Sequence, residues 1–92
     1  MVAVVVIRTT SRYKRDVKRA KGRGKNPHEL ERIVEALLAG EDLADRHRVH
    51  RLSGRWAGYW ECHIEPDWLL IWTYQEDVLL LVRTGTHADL FG

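Results

Sequence analysis

The sequence predicts an α+β fold of order β-α-α-β-β-β, and three observations predict it. Two stretches within residues 11–40 repeat their apolar residues at helical spacing. After residue 59 the period drops to two, and Pro66-Asp67 and Gln75-Glu76-Asp77 cut that half into three strand-length pieces. A three-strand meander joined by an N-terminal strand would form a twisted antiparallel sheet packed on the two helices. At 92 residues the chain is expected to be one domain, residues 1–92, able to fold without cross-links.

Residues 2–7 are β-branched and apolar on both faces, the pattern of a buried strand. Thr9, Thr10 and Ser11 offer N-caps for a first helix, on which Tyr13, Val17 and Ala20 form a narrow apolar stripe between Lys and Arg. Gly22 and Gly24 end it. Asn26-Pro27-His28-Glu29 starts a second helix with a cap, a proline at the first position and a capping-box glutamate. Leu30, Ile33, Val34, Leu37 and Leu38 line its apolar face, and Gly40 stops it. Residues 41–56 read as loop. From Tyr59 onward, Trp60, Cys62 and Ile64 share one strand face, and Tyr59, Glu61, His63 and Glu65 the other. Residues 68–74 and 78–84 complete the meander, with residues 85–92 a loop or one helical turn.

The net charge of +2 conceals an asymmetry. Residues 1–25 hold nine of the 15 Lys and Arg against one acid, Asp16, a local +8. Residues 26–92 hold six Arg and 12 acids, a local −6. A basic segment of this kind suits phosphates or an acidic partner, and suits a solvated helix face equally well. The single cysteine, Cys62, allows no internal disulfide and fits a reducing cytoplasm. The opening apolar run is too short to span a bilayer and no small-residue cleavage site follows it.

Hairpin register gathers the chemistry-bearing residues. Pairing Tyr74 with Val78 sets Leu69 opposite Arg83 and Gly85 beside Asp67; pairing Ile64 with Leu69 sets His63 opposite Leu70. His63, Asp67, Arg83 and His87 then share one end of the sheet, although a single bulge would change the face of Arg83. Such a set suits RNA cleavage, in which the 2′-hydroxyl attacks the adjacent phosphorus. Histidine exchanges protons near neutrality, arginine binds phosphoryl oxygens, and a carboxylate orients a histidine or acts as base. Trp68 and Phe91 could stack on unpaired bases. Blander readings stand beside these. His28 and His47 read as surface residues, Arg83 could pair with Asp67, and Trp56, Trp60 and Trp72 read as core. A zinc site from His50, His63, Asp67 and His87 lacks the tight ligand spacing of such sites, so neither metal nor cofactor is expected.

Three runs carry a resemblance to a known family. Leu52-Ser53-Gly54-Arg55-Trp56-Ala57-Gly58-Tyr59, His63-Ile64-Glu65-Pro66-Asp67-Trp68-Leu69-Leu70-Ile71 and the ending from Arg83-Thr84-Gly85-Thr86-His87 to Leu90-Phe91-Gly92 resemble the YafQ branch of the RelE/ParE toxin superfamily. The resemblance implies a microbial-ribonuclease-like (RelE-like) fold and the toxin of a type II toxin–antitoxin pair. It implies ribosome-dependent mRNA cleavage in the A site, and silencing by a DinJ-like antitoxin in a hetero-oligomer. His50, His63, Asp67, Arg83 and His87 match the family's active-site positions, and Trp68 and Phe91 match positions lining the site. Those matches imply His87 as general acid, Asp67 or His63 as base, Arg83 as phosphoryl clamp and His50 as a positioning or proton-sharing group. Glu61 stands where the family's YafQ member has Asp, and strand parity expects it to orient His63. Lys14, Arg15, Lys18 and Arg19 are the expected contacts to ribosomal RNA or antitoxin. A gyrase-poisoning toxin of the ParE type and a non-catalytic RNA-binding module are the alternatives.

Overall fold

The computed structural model describes residues 6–92, so the part of the first strand read at residues 2–5 lies outside the described residues. In chain order the elements are β1 (Val6–Thr9), α1 (Ser11–Gly22), α2 (Pro27–Ala39), β2 (His50–Arg51), β3 (Trp60–Glu65), β4 (Trp68–Gln75), β5 (Val78–Gly85) and α3 (His87–Phe91). The five strands form one sheet in the order β1-β5-β4-β3-β2. The α+β class and the antiparallel meander β3-β4-β5 agree with the expectation.

Three details depart from it. β1 joins β5 in parallel, Val6 beside Val78 through Thr9 beside Leu81, so the sheet is mixed rather than antiparallel. Strand periodicity is the same for both directions and cannot choose between them. β1 is also an edge strand, with Val6 and Ile7 each 39% exposed rather than buried on both faces. Finally, the loop read at residues 41–56 contains β2 and two short 3₁₀ turns, Asp45–His47 and Gly54–Trp56. Two-residue strands carry too few positions to show a period.

Helix starts obey their caps. The Thr10 hydroxyl accepts from the Tyr13 amide at 3.0 Å and donates to the Val82 carbonyl at 2.7 Å, so one side chain caps α1 and ties it to β5. Asn26 Oδ1 accepts from the His28 amide at 3.0 Å, Pro27 opens α2, and Gly40 closes it at φ 69° in the left-handed region. Glu29 lies 3.8 Å from Arg32, an ion pair in place of the expected capping box.

Both helices pack on one sheet face. Tyr13, Ala20, Leu30, Ile33 and Leu37 meet Cys62, Leu70, Trp72, Leu79 and Leu81 there. Each such fully buried large side chain contributes roughly 1.5–3 kcal/mol. A smaller cluster covers part of the other face, where Leu69, Ile71 and Leu90 pack with Leu52, Trp56, Tyr59 and Val82. Burial on both faces explains why β4 reads as a continuous apolar run.

Two bulges shape the site. One falls at Ile64, between the pairs His63–Leu69 and Glu65–Trp68. The other falls at Val82, between the pairs Trp72–Leu81 and Ile71–Arg83. A bulge leaves the ladder locally unpaired and re-aims the neighbouring side chains. Here the loosened carbonyls find other donors: His47 Nδ1 reaches the His63 carbonyl at 2.6 Å, and Thr10 takes that of Val82.

Candidate active site

Directly opposed residues of neighbouring strands share a sheet face. The register runs His50–Glu61, Glu61–Ile71 and Ile71–Arg83, one row across four strands. The next row holds His63, Leu69 and Gly85. Leu69 and Ile71 belong to the cluster away from the helices, so His50, Glu61, His63 and Arg83 lie on the face that α1 and α2 leave open. The observed pairs differ from the expected register, because the last hairpin turns through Glu76-Asp77 alone and both bulges intervene.

The tightest constellation sits at the β3–β4 turn. Asp67 Oδ1 accepts from His87 Nδ1 at 2.7 Å and from the His87 backbone amide at 3.0 Å. These two bonds, the amide first, hold the Asp67 carboxyl below the usual carboxylate range. The same bond fixes the His87 tautomer, with Nδ1 protonated and Nε2 turned outward. His63 and His87 lie 5.6 Å apart between ring centroids. The His63 Nδ1 lies 3.1 Å from the Pro66 carbonyl, which can only accept, so Nε2 is left as the free acceptor of the neutral ring. His87 and Asp67 are more than half exposed, open to a substrate.

His50 stands one strand away. Its Nδ1 donates to the Arg48 carbonyl at 2.7 Å and its Nε2 lies 3.3 Å from Glu61 Oε1. Glu61 is therefore the partner of His50, correcting the expectation that it orients His63; parity gave the face, and the short strand β2 supplied a nearer imidazole. Glu61 is 5% exposed and its Oε2 has no hydrogen-bond partner among the described residues.

Arg83 is 8% exposed and gives Nε and Nη2 to Asp16 at 2.6 and 3.2 Å. The alternative pairing with Asp67 is thereby replaced, because the Val82 bulge and the departure of α1 at Thr10 bring Asp16 to the free edge of β5. Arg19 also binds Asp16, at 2.9 Å, and is tied into this hub while still exposed; Lys14, Arg15 and Lys18 are exposed too. Trp68 does not line the open face. It is 2% exposed in the helix-side core, its Nε1 donates to the Thr84 hydroxyl at 3.0 Å, and Lys25 lies 5.9 Å from its ring. Its parity with Leu70 and Trp72 sends it inward. Phe91 is 48% exposed at the end of α3, 6.2 Å from Trp56.

Two residues escaped the sequence reading. Asp16 carried one signal, being the lone acid of a basic segment. His47 carried none: read as a surface residue, it is 8% exposed and props the β3 bulge. His28 is exposed, as read.

Solved structures define the class as a bacterial toxin of the kind bound by an antitoxin. YafQ from Escherichia coli BL21(DE3) superposes with a TM-score of 0.89 at 36% identity, over 94% of this chain and 97% of that one. YafQ in the Escherichia coli DinJ–YafQ toxin–antitoxin complex gives 0.86 at 39% identity, over 94% and 96%. In sequence, the chain is 39% identical to the mRNA interferase toxin YafQ of Escherichia coli K12 over 87 residues, 94% of this chain and 95% of that protein. A family model for the bacterial toxin of type II toxin–antitoxin system, YafQ, matches residues 5–92, and the chain belongs to that family. These matches give no support to the gyrase-poisoning alternative.

Proposed function

We propose that this chain, as one toxin domain spanning residues 1–92, is an mRNA interferase: an endoribonuclease that cuts message in the ribosomal A site and so stops translation. The observation that carries the reading is the pair of imidazoles 5.6 Å apart with Asp67 bonded to one of them. Two rings at that separation can serve the 2′-oxygen and the 5′-oxygen of one phosphodiester. His63 Nε2 takes the 2′-hydroxyl proton, the 2′-oxygen attacks phosphorus, and His87, acting as the imidazolium with its Nδ1–H held by Asp67, gives its Nε2 proton to the departing 5′-oxygen. The products are a 2′,3′-cyclic phosphate and a 5′-hydroxyl. Asp67, committed to His87 through two bonds, orients the acid rather than acting as base. Arg83 presents its remaining Nη1 to the phosphoryl charge, and the His50–Glu61 pair positions the substrate from the neighbouring strand. RNA supplies its own nucleophile, so the scheme calls on no metal.

The partners follow from this reading and, for the antitoxin, from the solved DinJ–YafQ complex. A DinJ-like antitoxin is the inhibitor, forming a toxin–antitoxin hetero-oligomer, and the ribosome is the platform, which places the protein in the cytoplasm. No helix among the described residues is long and apolar enough to cross a membrane. Exposed Lys14, Arg15 and Lys18 are the contacts to ribosomal RNA or to an acidic antitoxin segment.

Mapping of cuts in translated mRNA tests the reading. His87→Ala, at an exposed position, should fold normally and lose cleavage by roughly 10²–10⁴-fold, the usual worth of a positioned acid. Toxicity that survives this substitution without mRNA cuts would refute nuclease action.

A further inference from the structure

The open face holds a second feature beside the histidines, a cavity of about 620 Å³ between the start of α1, the 3₁₀ turn Gly54–Trp56 and α3. Its charge is one-sided. Arg12, Arg55 and Arg83 all line it, and neither Arg12 nor Arg55 makes an ion pair among the described residues. The lining acid, Asp89, is already occupied: Arg23 binds it at 2.6 and 3.3 Å and the Thr86 amide at 2.9 Å. Arg83 has its counter-charge in Asp16, but Arg12 and Arg55 have none among the described residues and gain when an anion arrives. The fork of arginine donors suits phosphate oxygens in particular.

The remaining wall is aromatic. Trp56 meets Phe91 edge-on at 6.2 Å and Tyr59 edge-on at 5.4 Å, which fixes the Trp56 ring while Phe91 stays 48% exposed. Fixed charge beside an exposed aromatic plate is the chemistry of an unpaired nucleotide, phosphate on one side and base on the other. An acidic peptide would use the arginines and leave the aromatic wall without a role. Position supports the same occupant. Phe91 and His87 are the two ends of α3, about 6 Å apart along its axis, and Arg83 is common to the cavity and the catalytic row.

We propose that this cavity is a subsite for a nucleotide flanking the scissile bond, its phosphate held by Arg55 and Arg12 and its base against Phe91 and Trp56. The inference rests on the nuclease reading and adds Arg12, Arg55 and Trp56 to the substrate-binding residues. Because the contacts are to phosphate and to a ring face, the subsite adds affinity without selecting a base.

The test separates binding from cutting. In a His87→Ala background, anisotropy of a short fluorescein-labelled single-stranded RNA of mixed sequence is followed across a salt series. Arg55→Ala should weaken binding and reduce the slope of log affinity against log salt by roughly 0.7, one phosphate contact on a single strand; Arg55→Lys should restore most of that slope. Phe91→Ala should cost roughly tenfold, the scale of one base–aromatic stack. In the His87-intact protein, Arg55→Ala should raise KM for translated mRNA and leave kcat near the parent value. Parent-like affinity and salt slope in both Arg12→Ala and Arg55→Ala would overturn the subsite, even where His87-dependent cleavage is normal. Loss of antitoxin affinity with RNA binding untouched would overturn it in favour of a protein-docking surface. The predicted RNA-binding losses in a parent that cuts no mRNA would sink the nuclease reading and leave an RNA-binding site.

Discussion

Asp16 accepts more hydrogen bonds at its side chain than any other described residue. At 5% exposure it accepts from Arg83 Nε and Nη2, from the Thr84 amide at 3.1 Å and from Arg19 at 2.9 Å. The Thr84 amide lies on the stretch of β5 beyond its pairing with β1, so a carboxylate there does the work of a missing strand. Removing one partner of a buried ion pair leaves the other charge uncompensated, which costs about 3–5 kcal/mol. Asp16→Asn should therefore lower the urea midpoint by an amount corresponding to that loss, with an unchanged m-value. Arg19→Ala, breaking a pair whose arginine is 42% exposed, should cost under about 1 kcal/mol in the same titration. Equal midpoints for the two variants would show that the hub carries no special stability.

At the scale of elements, α3 depends on its attachments. A five-residue helix is far too short to persist alone. A capping box between Thr86 and Asp89 starts it, Leu90 buries its inner side, and Arg23 on the turn after α1 clamps Asp89. Since His87 opens this helix, the clamp also helps to place the residue proposed as the acid. The Arg23 bond first, and the Thr86 amide next, hold the Asp89 carboxyl well below the usual range. A depressed carboxylate stabilises the fold in full above its unfolded pKa of about 3.9, and the contribution is lost as pH falls through the lower folded value. The α3 amides should therefore keep their hydrogen-exchange protection down through pH 4 and lose it only in stronger acid. Arg23→Ala should reduce that protection at neutral pH while the β4 amides stay protected. Uniform loss across the sheet would mean that α3 is not a separately tethered unit.

The whole molecule is a sheet with unlike faces, one sealed by two helices and one partly open. Cys62 lies in the sealed core, and burial, with the Glu61 charge behind it, pushes its thiol up to about 12. A thiol so far from ionisation is a poor nucleophile. Iodoacetamide near pH 8 should leave the native protein unmodified and alkylate it only through global opening. Modification rates should then track the urea unfolding free energy. Rapid alkylation without denaturant would show the two-layer packing to be looser than described.

The amino-acid order alone determined the helices, the three long strands, the charged first helix and the residues of the His63–Asp67–His87 constellation. Those depend on local propensity, capping and period, and the motif runs around Pro66 and Thr86 carry the resemblance. Tertiary structure decided the rest: the parallel entry of β1, the strand at His50, the partner of Glu61 and the burial of Arg83 against Asp16. Each of these rests on contacts between residues far apart in the chain, or on a one-residue bulge that exchanges sheet faces. The candidate cluster was thus legible as a set of residues in one neighbourhood, while its hydrogen bonds were not. Periodicity assigns a side chain to a face; what that side chain touches is set by whichever distant segment the fold brings to that face.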